Sequence, residues 1–300
     1  MSSGGAIVGN TIISIDDIRL DRVLGSGANG IVFDGEDLLL KRRVAVKIWP
    51  PRLDRPGGDR AMQALAEAQK LARLKSDYIV SIYRAGRLDV GWIYIVMEYF
   101  EGVPLTDEIR ADAGFALRSI FWSHVYFGLT SAESEGMYHG DLHGGNVLVR
   151  ALDAKIIDFG TSALAGKSPS LRRHARMVNV FAQWLLPEFT AYIGPLDIRK
   201  LTEPKFATFV VGEWVGACRD LMRLEGEISV ITEKDLAWRL TLLAENYSTN
   251  LINLNEPIAS WLATKGISQG LVDTYTEKAK AELERRKARW QSDSMFKGKP

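Results

Sequence analysis

The chain has 300 residues, 46% of them hydrophobic and 25% charged, with a formal net charge of +1. That length suits one two-lobed domain or two small ones with a substantial core, and so even a charge gives no field for nucleic acid or an anionic membrane surface. A single cysteine, Cys218, excludes an intrachain disulfide, and no apolar run reaches membrane-spanning length, so a soluble cytoplasmic protein without membrane contact is expected.

Residues 1–17 begin with small, glycine-rich sequence and are expected to be a flexible leader. Alternation then starts at Ile18 and Leu20 and runs through Val23-Leu24 into Gly25-Ser26-Gly27-Ala28-Asn29-Gly30. Glycines at this spacing let backbone N–H groups approach phosphate oxygens with no Cβ in the way. A dinucleotide-binding loop shares the spacing but should be followed by a helix. Here Ile31-Val32-Phe33 reads as strand, which favours a hairpin over nucleotide phosphates to either a dinucleotide loop or a plain glycine-rich turn. Arg43-Val44-Ala45-Val46-Lys47-Ile48-Trp49 is a buried-strand pattern with one lysine in it. A buried ammonium needs an anion; the alternative is an edge-strand lysine reaching water.

A Pro/Gly loop over 50–59 precedes a helix predicted over 59–75, with Met62, Leu65, Leu71 and Leu74 apolar and Glu67 among them. Taken alone, Glu67 is a solvated helix acid. Strands are expected over 80–85 and 92–97, then an extended linker over 98–102. A long amphipathic helix over 113–136 has Phe115, Leu117, Ile120, Phe121, Val125 and Leu129 as its core face, and Gly136 suits its end.

That helix delivers the chain to Tyr138-His139-Gly140-Asp141-Leu142-His143-Gly144-Gly145-Asn146 and, after two short apolar runs, to Asp158-Phe159-Gly160. Two acids and an amide held in loops between strands are what phosphoryl transfer needs: an acceptor for a hydroxyl proton and ligands for a metal that neutralises phosphate charge. The stretch resembles the protein kinase superfamily, with HGDLHGGN in place of H-R-D-L-x-x-x-N and an unaltered D-F-G. The resemblance covers residues 18–162 and implies an α+β, bilobal kinase-like fold. Its lobes would be an antiparallel β N-lobe with one helix over 18–97, a hinge over 98–102 and a mostly helical C-lobe over 103–300. It implies Asp141 as catalytic acceptor, Lys47 paired with Glu67, and Asn146 and Asp158 as ligands of Mg2+, or of Mn2+ in its place. Gly25, Gly27, Gly30, Val32, Ala45, Lys47, Met97, Glu98, Phe100 and His143 would line the ATP site, with Met97 as gatekeeper and the Glu98 and Phe100 backbone facing adenine.

Beyond Gly160 the likeness thins. There is no A-P-E and no D-x-W-x-x-G. Ser168-Pro169 reads as a helix cap, and a helix continues through Leu171, Met177, Val178, Phe181, Trp184 and Leu185. Further helices are expected over 203–224, 232–247, 255–264 and 268–291, the last with a solvated face carrying pairs such as Glu282–Arg286. Gly140 stands where the family has the arginine that receives an activation-loop phosphate, and His143 replaces a lysine. HGDLHGGN is similar to the loops of aminoglycoside- and fructosamine-type kinases, whereas the N-terminal part looks like eukaryotic-like Ser/Thr kinases. His139, His143 and His174 show no zinc spacing.

Three functions fit: a Ser/Thr protein kinase, a small-molecule kinase acting on a hydroxyl acceptor, and a nucleotide-binding regulatory module without catalysis. The intact set Lys47, Glu67, Asp141, Asn146 and Asp158 favours an enzyme, and the missing A-P-E keeps the small-molecule acceptor in play. With no arginine beside Asp141, activity is expected not to depend on phosphate at Thr161, Ser162, Ser168 or Ser170, control coming instead from a protein partner or from movement of the Glu67 helix. Phosphatase treatment, confirmed by mass spectrometry over residues 160–176, should leave turnover intact. A large loss that rephosphorylation restores would refute this.

Overall fold

A computed structural model of the chain describes residues 6–8, 11–27, 30–49, 65, 68–69, 72–89, 91–159, 171–188 and 207–247, with positions 263–266, 270, 277, 281 and 284–285. Glu67, the segment 161–169 with Ser168, and the pair Glu282–Arg286 lie outside the described residues. Of the helix expected over 59–75, Leu65, Ala68 and Gln69 are described and helical, whereas Ala72 and Arg73 form a turn and Leu74 and Lys75 lie past the helix, which ends earlier than expected.

An antiparallel five-stranded sheet organises the N-terminal half. Its strands are β3 (Ile18–Gly27), β4 (Gly30–Asp37), β5 (Arg42–Trp49), β6 (Ile82–Arg87) and β7 (Ile93–Glu98), in the order β3-β4-β5-β7-β6. The middle strand, β5, is buried on both faces: Val44 through Ile48, Lys47 among them, are all buried. Val46 faces Phe33 on one side and Val96 on the other, so these three join Ile18, Leu20, Val44 and Ile48 in one core.

The N-terminus differs from the expected leader. Residues Ala6–Val8 (β1) and Thr11–Ile13 (β2) form a hairpin, and Ile13 and Ile15 are 1% and 2% exposed within the sheet's core. The alternation Ile13, Ile15 runs straight into Ile18 and Leu20, so burial of these isoleucines extends the core layer by one step beyond β3.

After β7 the chain makes a short strand, β8 (Val103–Pro104), and a helix, α1 (Asp107–Asp112), whose first turn is capped by Thr106 Oγ1 accepting from the Ile109 N–H. The long helix α2 (Phe115–Ser134) buries Phe121, Val125 and Leu129 at i, i+4, i+8, as expected, while Trp122 and Ala132 are buried alongside them. Arg118 is buried as well, with Nε donating to the Ala113 carbonyl at 2.9 Å. The hairpin β9 (Val147–Arg150) and β10 (Asp153–Ile156) packs on α2 at Gly128, where a Cβ would lie 2.9 Å from Ile156 Cδ1. Ile156 also exchanges backbone bonds with the segment at 78–80: its N–H donates to Tyr78 O and its carbonyl accepts from Val80.

The remaining described elements are helical: α3 (Leu171–Leu185), α4 (Ala207–Glu227) and α5 (Glu233–Tyr247), close to the expected ranges. The described chain divides into two compact units. The first runs to Phe181 and includes Thr208; the second takes up Ala182 onward and α4 from Phe209. Within the second, Val211, Trp214, Cys218, Leu221, Leu236 and Leu240 are buried, and Arg239 pairs with Glu227. No helix among the described residues is long and apolar enough to cross a membrane. Replacing Ile13 with alanine should destabilise the protein by about 2–5 kcal/mol in urea titration, as for other buried isoleucines. A change below about 0.5 kcal/mol would place Ile13 outside the core.

Candidate active site

The loop between α2 and β9 is built around a buried histidine. Helix α2 ends in a tight turn at Gly136, at a φ of 69°, and the chain enters the loop through Met137 and Tyr138. His139 is fully buried. Its Nε2–H donates to the Ile157 carbonyl at 2.8 Å, and its Nδ1 accepts the Asp141 N–H at 3.3 Å, which selects the Nε2–H tautomer. Desolvation pushes the ring's pKa down from 6.5 to about 4, against the opposing pull of the Ile157 carbonyl and the Asp158 and Asp141 carboxylates. Phe159 packs edge-on against the ring at 4.7 Å.

Asp141 is therefore held by its backbone. Its N–H is bound to His139, and its carbonyl accepts Asn146 Nδ2–H at 2.8 Å. Its carboxylate stays about half exposed, 3.9 Å from His143 Nε2. His143 Nδ1 accepts the Gly145 N–H at 3.1 Å, closing a 3-10 turn over Gly144–Asn146. Asn146 is buried, its carbonyl accepts the Ile157 N–H, and its bonded Nδ2 leaves Oδ1 as the atom able to face a cation.

The sheet contributes Lys47. It is 3% exposed, and its Nζ lies 2.5 Å from Asp158 Oδ1. The anion demanded by a buried lysine is thus Asp158 in this structure; the expected partner Glu67 is among the undescribed residues. Asp158 sits in the left-handed region at a φ of 65°, a conformation with a cost for a non-glycine residue. In the glycine segment, Gly30 has a φ of 108°, and a Cβ there would lie 2.5 Å from the Ile48 carbonyl, so that position requires glycine. Gly25 pairs with Val32, Val32 with Lys47, and Ala45 with Met97, which sets the expected nucleotide-lining residues side by side.

The linker is braced by pairs with no local sequence signal. Glu98 takes Lys155 Nζ at 2.5 Å and the Ser81 N–H at 3.2 Å, and the Phe100 ring lies 5.2 Å from the Arg150 guanidinium. The Phe100 carbonyl accepts the Gly102 N–H at 2.8 Å. Arg43 stacks 3.7 Å over the Tyr99 ring while both its donors reach the buried Asp34, whose carboxyl is held below its usual range by that hydrogen bond.

Residues 18–196, well over half of the chain, match the sequence model of the protein kinase domain. The chain belongs to the protein kinase family. Among curated relatives, this kinase domain is 33% identical over 180 residues to serine/threonine-protein kinase PknB of Mycolicibacterium smegmatis and 31% identical over 180 residues to PknB of Mycobacterium tuberculosis. Each match covers 58% of this chain and 28% of the relative, so the chain spans less than a third of the length of these relatives. The crystallised kinase domain of Mycobacterium tuberculosis PknI superposes with a TM-score of 0.52 at 18% identity, over 68% of this chain and 97% of that one, a likeness of fold alone. The α+β kinase fold expected from the sequence is therefore present.

Among the described residues no cluster of three or more His, Cys, Asp or Glu side chains forms a metal site by itself. Asn146 and Asp158 offer hard oxygen donors, which suit Mg2+ when phosphate oxygens complete the shell.

The His139 shift has a sign that can be measured. Because the folded-state value lies below the unfolded one, the unfolded chain binds the proton first as pH falls. The stability held by a neutral His139 is complete above pH 6.5 and is lost as pH drops toward 4. The loss amounts to about 3 kcal/mol at most. Histidine-labelled NMR should find the His139 ring neutral at pH 5; a midpoint near pH 6.5 would show that the ring is solvated.

Proposed function

We propose that the chain is an ATP-dependent phosphotransferase that moves the γ-phosphate of Mg-ATP to a serine or threonine hydroxyl of a protein. The observation that carries this reading is the contact of Lys47 with Asp158, which joins the glycine-flanked sheet to the loop after β10, and Ile157 of that loop is bonded to His139 and Asn146 of the loop bearing Asp141. Serine/threonine-protein kinases among the relatives support the choice of acceptor.

On this reading Gly30 and its neighbours admit the phosphates, and Lys47 turns from Asp158 to the α- and β-phosphates as the nucleotide enters. Glu67 would take over as the lysine's second partner. Asn146 Oδ1 and Asp158 would hold Mg2+, which neutralises charge on the phosphate oxygens when bound. Asp141 accepts the proton of the attacking hydroxyl; its backbone is clamped at both N–H and carbonyl, so its carboxylate is aimed without losing access to solvent. His143, 3.9 Å away, is placed to steady either that carboxylate or a nearby phosphate. Backbone groups of Glu98 and Phe100 would take adenine beside Met97.

A small-molecule acceptor is the second reading, favoured by the HGDLHGGN loop and the lack of A-P-E. Transfer of labelled phosphate to generic protein substrates against a panel of aminoglycoside and sugar acceptors separates the two. Millimolar Mg-ATP should raise the melting temperature, and Lys47→Ala and Asp158→Ala should each shrink that rise. Asp141→Asn should keep the rise yet cut turnover by about 10²–10⁴. No thermal shift in a folded sample refutes nucleotide binding, and near-normal turnover in Asp141→Asn removes Asp141 from the chemistry.

A further inference from the structure

Beneath the catalytic loop lies a second polar cluster that the proposed chemistry does not use. Glu133 stands in the last turn of α2, His174 in the first turn of α3 and Thr208 at the start of α4, all in the first unit. The Glu133 and His174 side chains are 2% and 1% exposed. Glu133 Oε1 receives His174 Nε2–H at 2.9 Å, the Thr208 hydroxyl at 2.8 Å and the Thr208 N–H at 3.0 Å. A buried carboxylate with three donors is a closed unit, and removing one partner leaves the others desolvated and unmatched.

The cluster's position gives it a reach beyond packing. The His174 ring lies 5.3 Å from the Tyr138 ring, and Tyr138 adjoins His139 in the loop. His174 Nδ1 is buried with no hydrogen-bond partner among the described residues, so the ring is held by one polar edge and by Tyr138. Phe159 packs against His139, and His174 is anchored to α2.

We propose that the buried Glu133–His174–Thr208 cluster sets the position of the catalytic loop through Tyr138, and that His174 is a positioning residue for the transfer step. This rests on the kinase reading for its effect on rate, but not for its effect on the loop. Three variants test it. Glu133→Leu combined with His174→Leu removes the two charged or ring partners and fills their space with apolar side chains, leaving the Thr208 hydroxyl and N–H without their acceptor, so the anchor is lost. Thr208→Val is nearly isosteric and supplies the reading if the double variant fails to fold. His174→Gln keeps an N–H donor for Glu133 but removes the ring from Tyr138.

In each folded variant, hydrogen–deuterium exchange over residues 138–147 should quicken, by about tenfold in the double variant. The strands β3 to β7 should keep wild-type exchange. Turnover should fall about tenfold in the double variant with KM for ATP unchanged, and less in Thr208→Val. Wild-type exchange in the loop of any folded double or His174 variant overturns the proposal, whatever the catalytic outcome. If the double variant is lost, wild-type loop exchange in His174→Gln alone overturns it. An equal rise in exchange throughout the molecule also overturns it, because the cluster would then be general packing. Faster loop exchange in the variants, with a wild-type protein that neither binds nor turns over Mg-ATP, would refute the kinase reading alone.

Discussion

A lysine in the middle of a buried strand constrains this structure more than any other single residue. Strand β5 is central in the sheet and Val44 through Ile48 are buried on both of its faces, so Lys47 cannot reach water along its own stem. An isolated ammonium there would cost several kcal/mol, and the sheet's own buried carboxylate, Asp34, is taken up by Arg43 and Arg22. Asp158, 111 positions along the chain, supplies it. The loop after β10 must then lie against the sheet, and the register of β9 and β10, their seat on Gly128 of α2 and their bonds to residues 78–80 all keep it there.

The catalytic loop solves a different problem: it must expose a carboxylate while fixing it. Main-chain and side-chain duties are divided. His139 and Asn146 take the Asp141 N–H and carbonyl, while the carboxylate faces outward beside His143. His139 can do this only as a neutral ring, since its two nitrogens have opposite roles, one donating and one accepting. Burial keeps it neutral. Below it, Glu133, His174 and Thr208 form a separate closed set, so two buried histidines sit under one loop with unlike partners: carbonyl and amide for one, carboxylate and hydroxyl for the other.

The linker shows how charge stiffens an extended element. Glu98 is tied to Lys155, Arg150 leans on Phe100, and Arg43 bridges Tyr99 to Asp34. None of these side chains is needed to touch a nucleotide. They hold the peptide groups of 98–100 in an extended course between β7 and β8, and the half-buried setting of Glu98 and Lys155 makes their pair firmer than one in open water.

Local pattern sufficed for much of this protein. Period-two alternation marks β3, a continuous apolar run marks β5, and the i, i+4 stripe of Phe121, Val125 and Leu129 marks α2, because each records which side of an element meets the core. The need for glycine at Gly30 was legible too, since its backbone shape and the approach of the Ile48 carbonyl leave no room for a side chain. The hairpin of Ala6–Val8 with Thr11–Ile13 was not: its strands are too short to show a period, and only the sheet's open core makes Ile13 and Ile15 buried. Nor was any contact of Glu133 with Thr208, 75 positions apart, or of Glu98 with Lys155, 57 apart. A glutamate on a helix reads as solvated whether or not it is, because its own neighbours in sequence say nothing about what the fold will lay on top of it. The sequence by itself determined the elements and the reactive groups; only the tertiary structure decided which charges lost their water and therefore had to find one another.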